Sequence, residues 1–274
     1  MLEDKLGKDA DRVDIFKACN FLLGKTAEEI SEEIHNKTEK DRVHSKAAMG
    51  HLIEDDFFGI ERNTSSKPDF EEEGIELKVT PLKPTGKGKL LRPKERMVIS
   101  MVNYHDIVEA DHWTDVPTLN KKLKDVLIIW YVHLDKNRSK YPVIWWDLWS
   151  PTQEQSEKIQ EDFEMLKKKV EEGERLRTRW GEFLGTCPKH NSNFVKENPE
   201  ESESNALVGS HPTREYEQRR GWQIKPAGML EVIKESCNLD VEKVGRASGI
   251  NREKLWELAE QKSSELELLE AKSD

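Results

Sequence analysis

The feature that most constrains this fold is a short run of consecutive apolar residues, Val126-Leu127-Ile128-Ile129-Trp130-Tyr131-Val132. Its length suits a strand, it is rich in β-branched and aromatic side chains, and polar residues do not alternate with apolar ones. A strand that is apolar on both faces is buried on both faces. The run therefore predicts the central strand of a sheet.

Other segments of the chain predict further strands and helices. The remaining predicted strands are 74–80, 97–102, 143–149 and 219–225. The predicted helices are two within the first 40 residues, then 44–58, 152–180 and 229–274. Thr26 and Glu29 have the spacing of a capping box. Residues 81–96 and 190–212 are predicted loops. This mixture indicates an α+β fold, sandwich-like, with a mixed β-sheet flanked by helices.

The composition excludes several classes of protein. Charged residues make up 36% of the 274 residues and apolar residues 35%, and no run of 18 apolar residues is present, which argues against a membrane-spanning helix and a membrane partner. Three cysteines are too few and too far apart for a disulfide scaffold or a zinc knuckle. We therefore expect a cytoplasmic protein.

The net charge of -10 argues at first against a nucleic-acid partner. The charges are distributed unevenly, however. Between residues 78 and 96 the acidic side chain Glu95 stands among basic residues, which are Lys78, Lys83, Lys87, Lys89, Arg92, Lys94 and Arg96. An acidic chain with this local basic stretch predicts weak, strongly salt-dependent binding to DNA.

The motif that indicates chemistry lies just before this basic stretch. In the predicted strand, Glu76 and Lys78 project from one face, and Asp69 enters from the preceding segment. Carboxylates of Asp69 and Glu76, with the carbonyl of Leu77, are the hard oxygen ligands that Mg²⁺ prefers. A bound ion activates water and neutralises phosphate charge, and Lys78 would orient that water or stabilise the transition state.

The spacing D-x6-E-x-K is weak evidence alone in so charged a chain, where an exposed strand face with an ion pair is the simpler reading. Upstream, Gly50-His51-Leu52-Ile53-Glu54 places another carboxylate at the end of an apolar helical face. Glu54 is then either a surface residue or a fourth member of the site.

An ordered series of short blocks resembles the MutH family, which comprises mismatch-repair nicking endonucleases and GATC-cutting restriction enzymes of the Sau type. The resemblance covers about residues 12–235. Its blocks are Gly50–Glu54, Ser66–Asp69, Glu76–Pro81, Lys94–Val98, Val102–Tyr104, Lys121–Leu127, Leu148–Pro151 and Arg220–Lys225.

The resemblance implies a restriction-endonuclease-like core at 1–229 that hydrolyses double-stranded DNA with Mg²⁺. It implies Asp69, Glu76 and Lys78 as the catalytic triad, with Glu54 as an additional acidic residue. The DNA-binding residues that it suggests, together with those of the basic stretch, are Lys46, Lys87, Lys89, Lys122, Lys189, Arg220, Gln223 and Lys225.

Two positions depart from the nicking branch of the family. Gln223 stands where that branch has a tyrosine that senses adenine methylation, although a glutamine can still bond adenine. Cys187 stands where that branch has an arginine. We therefore expect a type II restriction enzyme acting at or near GATC, with a methyltransferase in the same system. The alternatives are a strand-nicking repair enzyme and a catalytically silent DNA-binding module.

Residues 230–274 are predicted to form a separate helical segment. The spacing of Gly245, Gly249 and Leu255 matches a helix-turn-helix, but Glu253 and Glu257 on the second helix would repel phosphates. A packing or dimerising helical hairpin is the alternative. A transient homodimer on DNA would give a palindromic site two active centres.

Overall fold

The computed structural model describes residues 6–35, 48–60, 67–134, 137–189 and 208–270. Its strands are β1 (Glu76–Thr85), β2 (Leu90–Pro93), β3 (Met97–Met101), β4 (Val126–Val132), β5 (Val143–Trp149), β6 (Leu184–Pro188), β7 (Val208–His211), β8 (Arg214–Gln218), β9 (Arg220–Ile224), β10 (Val241–Val244) and β11 (Ala247–Asn251). Its helices are α1 (Arg12–Leu22), α2 (Ala27–His35), α3 (Ala48–His51), α4 (Tyr104–Glu109), α5 (Pro117–Leu123), α6 (Gln153–Glu171), α7 (Pro226–Ser236) and α8 (Arg252–Glu270), with a π-helical turn at Leu52–Phe57.

The elements form two compact units. The first comprises Met1–Glu95, Asp125–Trp149 and Leu230–Asp274, and the second comprises Arg96–Lys124 and Ser150–Met229. None of the helices that the structure describes is long and apolar enough to cross a membrane.

The first unit is built on a six-stranded mixed sheet in the order β10-β11-β2-β1-β4-β5. β1 and β4 run parallel, with Lys78 opposite Ile128, and the other neighbouring pairs are antiparallel. Every residue of β4 is buried, as its unbroken apolar sequence predicts. Leu127 and Ile129 share one hydrophobic core with the apolar faces of α1, α2 and the π-helical turn. The prediction of a mixed sheet flanked by helices is confirmed.

The second unit contains the antiparallel sheet β3-β9-β6 and the hairpin β7–β8. Helix α6 packs on the sheet, where the rings of Phe163 and Trp222 lie 6.2 Å apart between centroids. The Asp162 carboxylate accepts backbone N–H bonds from Phe183 at 2.7 Å and Leu184 at 2.8 Å, which fixes the start of β6.

The helical predictions near the N-terminus are confirmed for the residues that the structure describes. Glu29 N–H donates to Thr26 Oγ1 at 3.3 Å, and Thr26 N–H donates to Glu29 Oε2 at 2.7 Å, which is the predicted capping box. Of the predicted helix at 44–58, residues 44–47 lie outside the described residues, and the remainder forms α3 and the π-helical turn. The helix predicted at 152–180 ends at Glu171, because Gly173 adopts a left-handed φ of 72°.

The prediction of a basic loop at 81–96 is wrong. Strand β1 continues to Thr85, and β2 returns beside it with Lys83 opposite Arg92. Leu82, Leu90 and Leu91 are fully buried and hold this hairpin on the sheet. Lysines and prolines between these leucines conceal the strand pattern in the sequence. Of the loop predicted at 190–212, residues 190–207 lie outside the described residues, and Val208–His211 is strand β7.

The helix-turn-helix interpretation of 241–258 is also wrong. The prediction that residues 230–274 are wholly helical is wrong as well. Strands β10 and β11 form an antiparallel hairpin that extends the six-stranded sheet, and only then does α8 begin. Gly245 occupies the turn with φ 61°. A Cβ on Gly249 would lie 2.4 Å from the carbonyl oxygen of Leu91. The two glycines serve a β-turn and a close strand contact, which explains their spacing.

Candidate active site

A closed turn brings Asp69 and Glu76 together. Phe70 N–H donates to Ile75 O at 2.9 Å, and Ile75 N–H donates to Phe70 O at 3.2 Å. Gly74 allows this closure with φ 68°, a value that favours glycine. Residues directly outside the bridged pair face one another, and Asp69 Oδ2 accepts the N–H of Leu77 at 2.9 Å. The turn is therefore six residues long, and this length sets the spacing between Asp69 and Glu76.

Lys78 projects beside Glu76, as the period-2 pattern of the strand predicts. Its Nζ lies 2.5 Å from Glu76 Oε1 and donates to the carbonyl oxygen of Leu77 at 3.1 Å. The Glu76 side chain is 3% exposed and that of Lys78 is 22% exposed. Burial lowers the pKa of Lys78, but the charges of Glu76, Asp69 and Glu54 and the hydrogen bond to Glu76 outweigh burial, so that the net direction is upward. Lys78 is therefore a protonated lysine at neutral pH.

Glu54 reaches this group from the π-helical turn. Phe58 N–H donates to Ile53 O at 2.9 Å, a wider hydrogen-bonded turn than that of an α-helix. A Cβ on Gly50 would lie 3.9 Å from Glu54 Oε1, which places the carboxylate along the preceding turn. The charge of Glu54 acts on Lys78. The π-helical turn, which sequence periodicity does not reveal, belongs to the kind of local irregularity that is frequent at functional sites.

The donor set fits a magnesium ion in its chemistry. Asp69, Glu76 and the carbonyl of Leu77 offer hard oxygen atoms, and no softer nitrogen or sulfur ligand competes among them. The Lys78 ammonium contacts two of these three groups. Within the described part of the chain, no cluster of three or more His, Cys, Asp or Glu side chains forms a preorganised metal site.

Two predicted DNA-binding residues of the first unit, Lys87 and Lys89, are exposed. Lys87 and Lys89 lie in the tight turn between β1 and β2, where Lys87 has a left-handed φ of 60°. Lys46 lies outside the described residues.

Two predicted base-contacting residues of the second unit are buried. Gln223 is 1% exposed, its Nε2 donates to Thr186 O at 3.1 Å, and its Oε1 accepts from Arg96 Nη1 at 3.1 Å. Arg220 is 4% exposed and donates from Nε to Thr186 Oγ1 at 2.8 Å. Burial lowers the pKa of Arg220. Both side chains are thus engaged within the unit.

The other predicted contacts of this unit differ in exposure. Lys189 is exposed. Its side chain passes over Gly221, where an added Cβ would lie 2.5 Å from Lys189 Cε. Lys225 Nζ donates to the carbonyl oxygens of Arg179 and Gly181. Lys122 is only 8% exposed, in the last turn of α5.

Arg96 was not predicted individually as a contact residue. It is exposed, and the buried Gln223 amide holds its guanidinium. In the sequence, the one indication of a role for Arg96 was its place in the basic stretch. Its contact with Gln223 depends on the pairing of β3 with β9, which are distant in the chain.

Comparisons with known proteins show sequence similarity to nucleases over parts of this chain. A family model described as the DNA mismatch repair enzyme MutH matches residues 58–162, which include Asp69, Glu76 and Lys78. The type II restriction enzyme Sau3AI of Staphylococcus aureus is 39% identical over 70 residues, which are 26% of this chain and 14% of that enzyme. The DNA mismatch repair protein MutH of Shewanella sp. (strain MR-7) is 25% identical over 185 residues, 64% of this chain and 77% of that protein. The match thus spans about one seventh of the restriction enzyme and about three quarters of the repair protein. Parts of this chain are thus similar to the mismatch-repair enzyme MutH and to a Sau-type restriction enzyme.

Proposed function

We propose that this protein is a Mg²⁺-dependent, sequence-specific DNA endonuclease of the type II restriction class that cuts at or near GATC. The observation that carries the proposal is the meeting of two carboxylates and a lysine at Leu77: Asp69 accepts the Leu77 N–H, and Lys78 contacts both Glu76 and the Leu77 carbonyl oxygen. A protein that only bound DNA would have no use for clustered carboxylates, which repel phosphates.

In this proposal Asp69, Glu76 and the Leu77 carbonyl hold Mg²⁺. The ion, when bound, supplies an activated water and neutralises charge on the phosphate. Lys78 would donate a hydrogen bond to the phosphate oxygen and so stabilise the transition state. The hydrogen bond from Leu77 N–H fixes one oxygen of Asp69 and orients the other.

The substrate is double-stranded DNA, and a DNA methyltransferase of the same system would protect the host's own sites. The described part of the chain holds one such centre, so two chains would meet transiently on a palindromic site. Analytical ultracentrifugation with and without site DNA tests this, and a complex with one chain per site would exclude the dimer.

A strand-nicking repair enzyme is the second candidate, favoured by the longer match to the MutH protein. It would cut one strand and would respond to methylation of the other. A catalytically silent DNA-binding module is the third.

The experiment that separates these candidates is digestion of methylated and unmethylated plasmids with Mg²⁺, followed by sequencing of the ends. We expect double-strand breaks at one short sequence, abolished in Asp69→Asn. Glu72→Gln is the matched control, because Glu72 lies in the same turn and is exposed. Undiminished cleavage by Asp69→Asn would overturn the proposal, and single-strand nicks alone would favour the repair enzyme.

A further inference from the structure

The β10–β11 hairpin lies directly beside the β1–β2 hairpin. Ile250 pairs with Leu91, and Arg252 N–H donates to Lys89 O at 2.9 Å. At the turns, a Cβ on Gly86 would lie 3.0 Å from Val244 Cβ. The two turns are therefore neighbours at the same end of the catalytic sheet.

Exposed cations cover both hairpins. They are Lys83, Lys87, Lys89 and Arg92 on the first, and Lys243 and Arg246 on the second, with Arg252 directly after it at the start of α8. None of these side chains has a hydrogen bond or ion pair to a described residue. The nearby carboxylate of Glu242 is already engaged by Lys254 at 2.8 Å, which leaves Asp240 and Glu253 as the opposing charges of the second hairpin.

Two features of this surface reduce the stability of the folded chain. Lys83 and Arg92 lie directly opposite each other in the β1–β2 register, and like charges in such positions repel. Lys87 adopts a left-handed conformation that is unfavourable for a non-glycine residue. A bound polyanion would reduce the charge repulsion.

We infer that the β10–β11 hairpin, through Lys243 and Arg246, and the start of α8, through Arg252, bind the phosphate backbone of the same duplex that the active site cuts. The inference rests on the proposed function. β1 joins the two regions, since Lys78 lies in the active site and Thr85 lies beside the turns. At about 3.3 Å per residue these two residues are ~23 Å apart, less than one ~34 Å turn of B-DNA.

The width of the surface also suits a duplex rather than a single phosphate. Three strand spacings separate β1 from β10, about 14 Å at ~4.8 Å each. The two hairpins thus present cations over a breadth that spans several phosphates, and the acidic C-terminal part of the chain contributes to DNA binding through its hairpin.

The test is the affinity of the full chain for a duplex containing the cleavage site, measured at several salt concentrations with Ca²⁺ in place of Mg²⁺. For Lys243→Ala/Arg246→Ala we expect a fall of roughly 10- to 60-fold at 0.1 M salt and a slope of log K against log salt that is smaller by about 1.8. Lys17→Ala/Lys234→Ala is the control for net charge, because both lysines are exposed on other elements of the same unit.

A variant that binds DNA more tightly separates an effect on binding from an effect of misfolding, because misfolding would weaken binding. Glu253→Gln removes a negative charge next to Arg252, and we expect it to strengthen binding several-fold with an unchanged unfolding temperature. Equal losses in the hairpin and control variants, or an unchanged salt slope, would overturn the inference while leaving the nuclease proposal intact. Absence of any duplex binding by the unaltered chain would instead refute the proposed function.

Discussion

The Lys78 ammonium lies 2.5 Å from the Glu76 carboxylate, and the Glu76 side chain is almost completely buried. An ion pair in this setting makes each charge dependent on the other, since either alone would be left without its nearest partner in a poorly solvated position. The same pair thus links the stability of the sheet to its proposed chemistry.

We expect single and double substitutions of this pair to separate stability from activity. Lys78→Met removes the nearest opposite charge of the buried Glu76 carboxylate and should cost about 3 kcal/mol of unfolding free energy, whereas Glu76→Gln/Lys78→Met should recover most of that loss. Both variants should lose cleavage by about 10²-fold or more. Urea unfolding and plasmid digestion measure the two effects. Additive losses of stability in the double variant would contradict the coupling.

Gly74 controls the approach of Asp69 to Glu76. Nothing lies within 4 Å of a Cβ at this position, so Gly74→Ala tests backbone conformation without a steric clash. Because φ is 68°, alanine should cost about 1 kcal/mol of stability and should open the turn, with a larger relative loss of cleavage. Gly74→Asn, which tolerates left-handed backbone, should be milder. Equal cleavage by the alanine and glycine proteins would show that this turn does not set the distance.

Arg96 and Gln223 should act on DNA as a unit. If the exposed Arg96 makes the contact and Gln223 positions it, Arg96→Gln and Gln223→Met should each weaken duplex binding roughly tenfold, and the double variant should be no worse than either. A Gln223→Met loss that adds fully to that of Arg96→Gln would mean that Gln223 contacts the base directly. Titration of labelled duplex with Ca²⁺ gives all three values.

Lys262 predicts a pH dependence of stability. Its Nζ donates to Trp146 O at 2.8 Å and lies 3.8 Å from the centroid of the Trp146 ring. Burial lowers the pKa of Lys262 to about 8, although Asp147 opposes this shift. The unfolded chain therefore binds more protons than the folded chain between about pH 8 and the ordinary lysine pKa, so this group makes stability rise with pH across that range.

The comparison that isolates this effect is the unaltered chain against Lys262→Met between pH 7.5 and 9. We expect the unaltered chain to gain up to about 1 kcal/mol relative to the variant over this interval. The interval stops at pH 9 because burial raises the pKa of Cys237 to about 11, and that group makes stability fall with pH above the ordinary thiol range. Parallel curves for the two proteins would exclude a lowered lysine pKa.

Local patterns in the sequence were enough to predict the central strand and the placement of Glu76 beside Lys78. An unbroken apolar run determined that β4 would be buried, and period-2 alternation determined that Glu76 and Lys78 would share a face. These predictions succeeded because they depend on neighbours in sequence, where backbone geometry is fixed.

Long-range pairing decided what local patterns could not. Residues 81–96 became a hairpin because Leu82, Leu90 and Leu91 found a hydrophobic core, and 241–251 became strands because β11 pairs with β2. Gln223 became an internal support for Arg96 because β9 lies between β3 and β6. In each case the partner is distant in the chain, and burial against it outweighs local preference. The sequence by itself determined which charged residues would meet in the candidate site. Only the tertiary structure decided which of them face solvent and which are held inside.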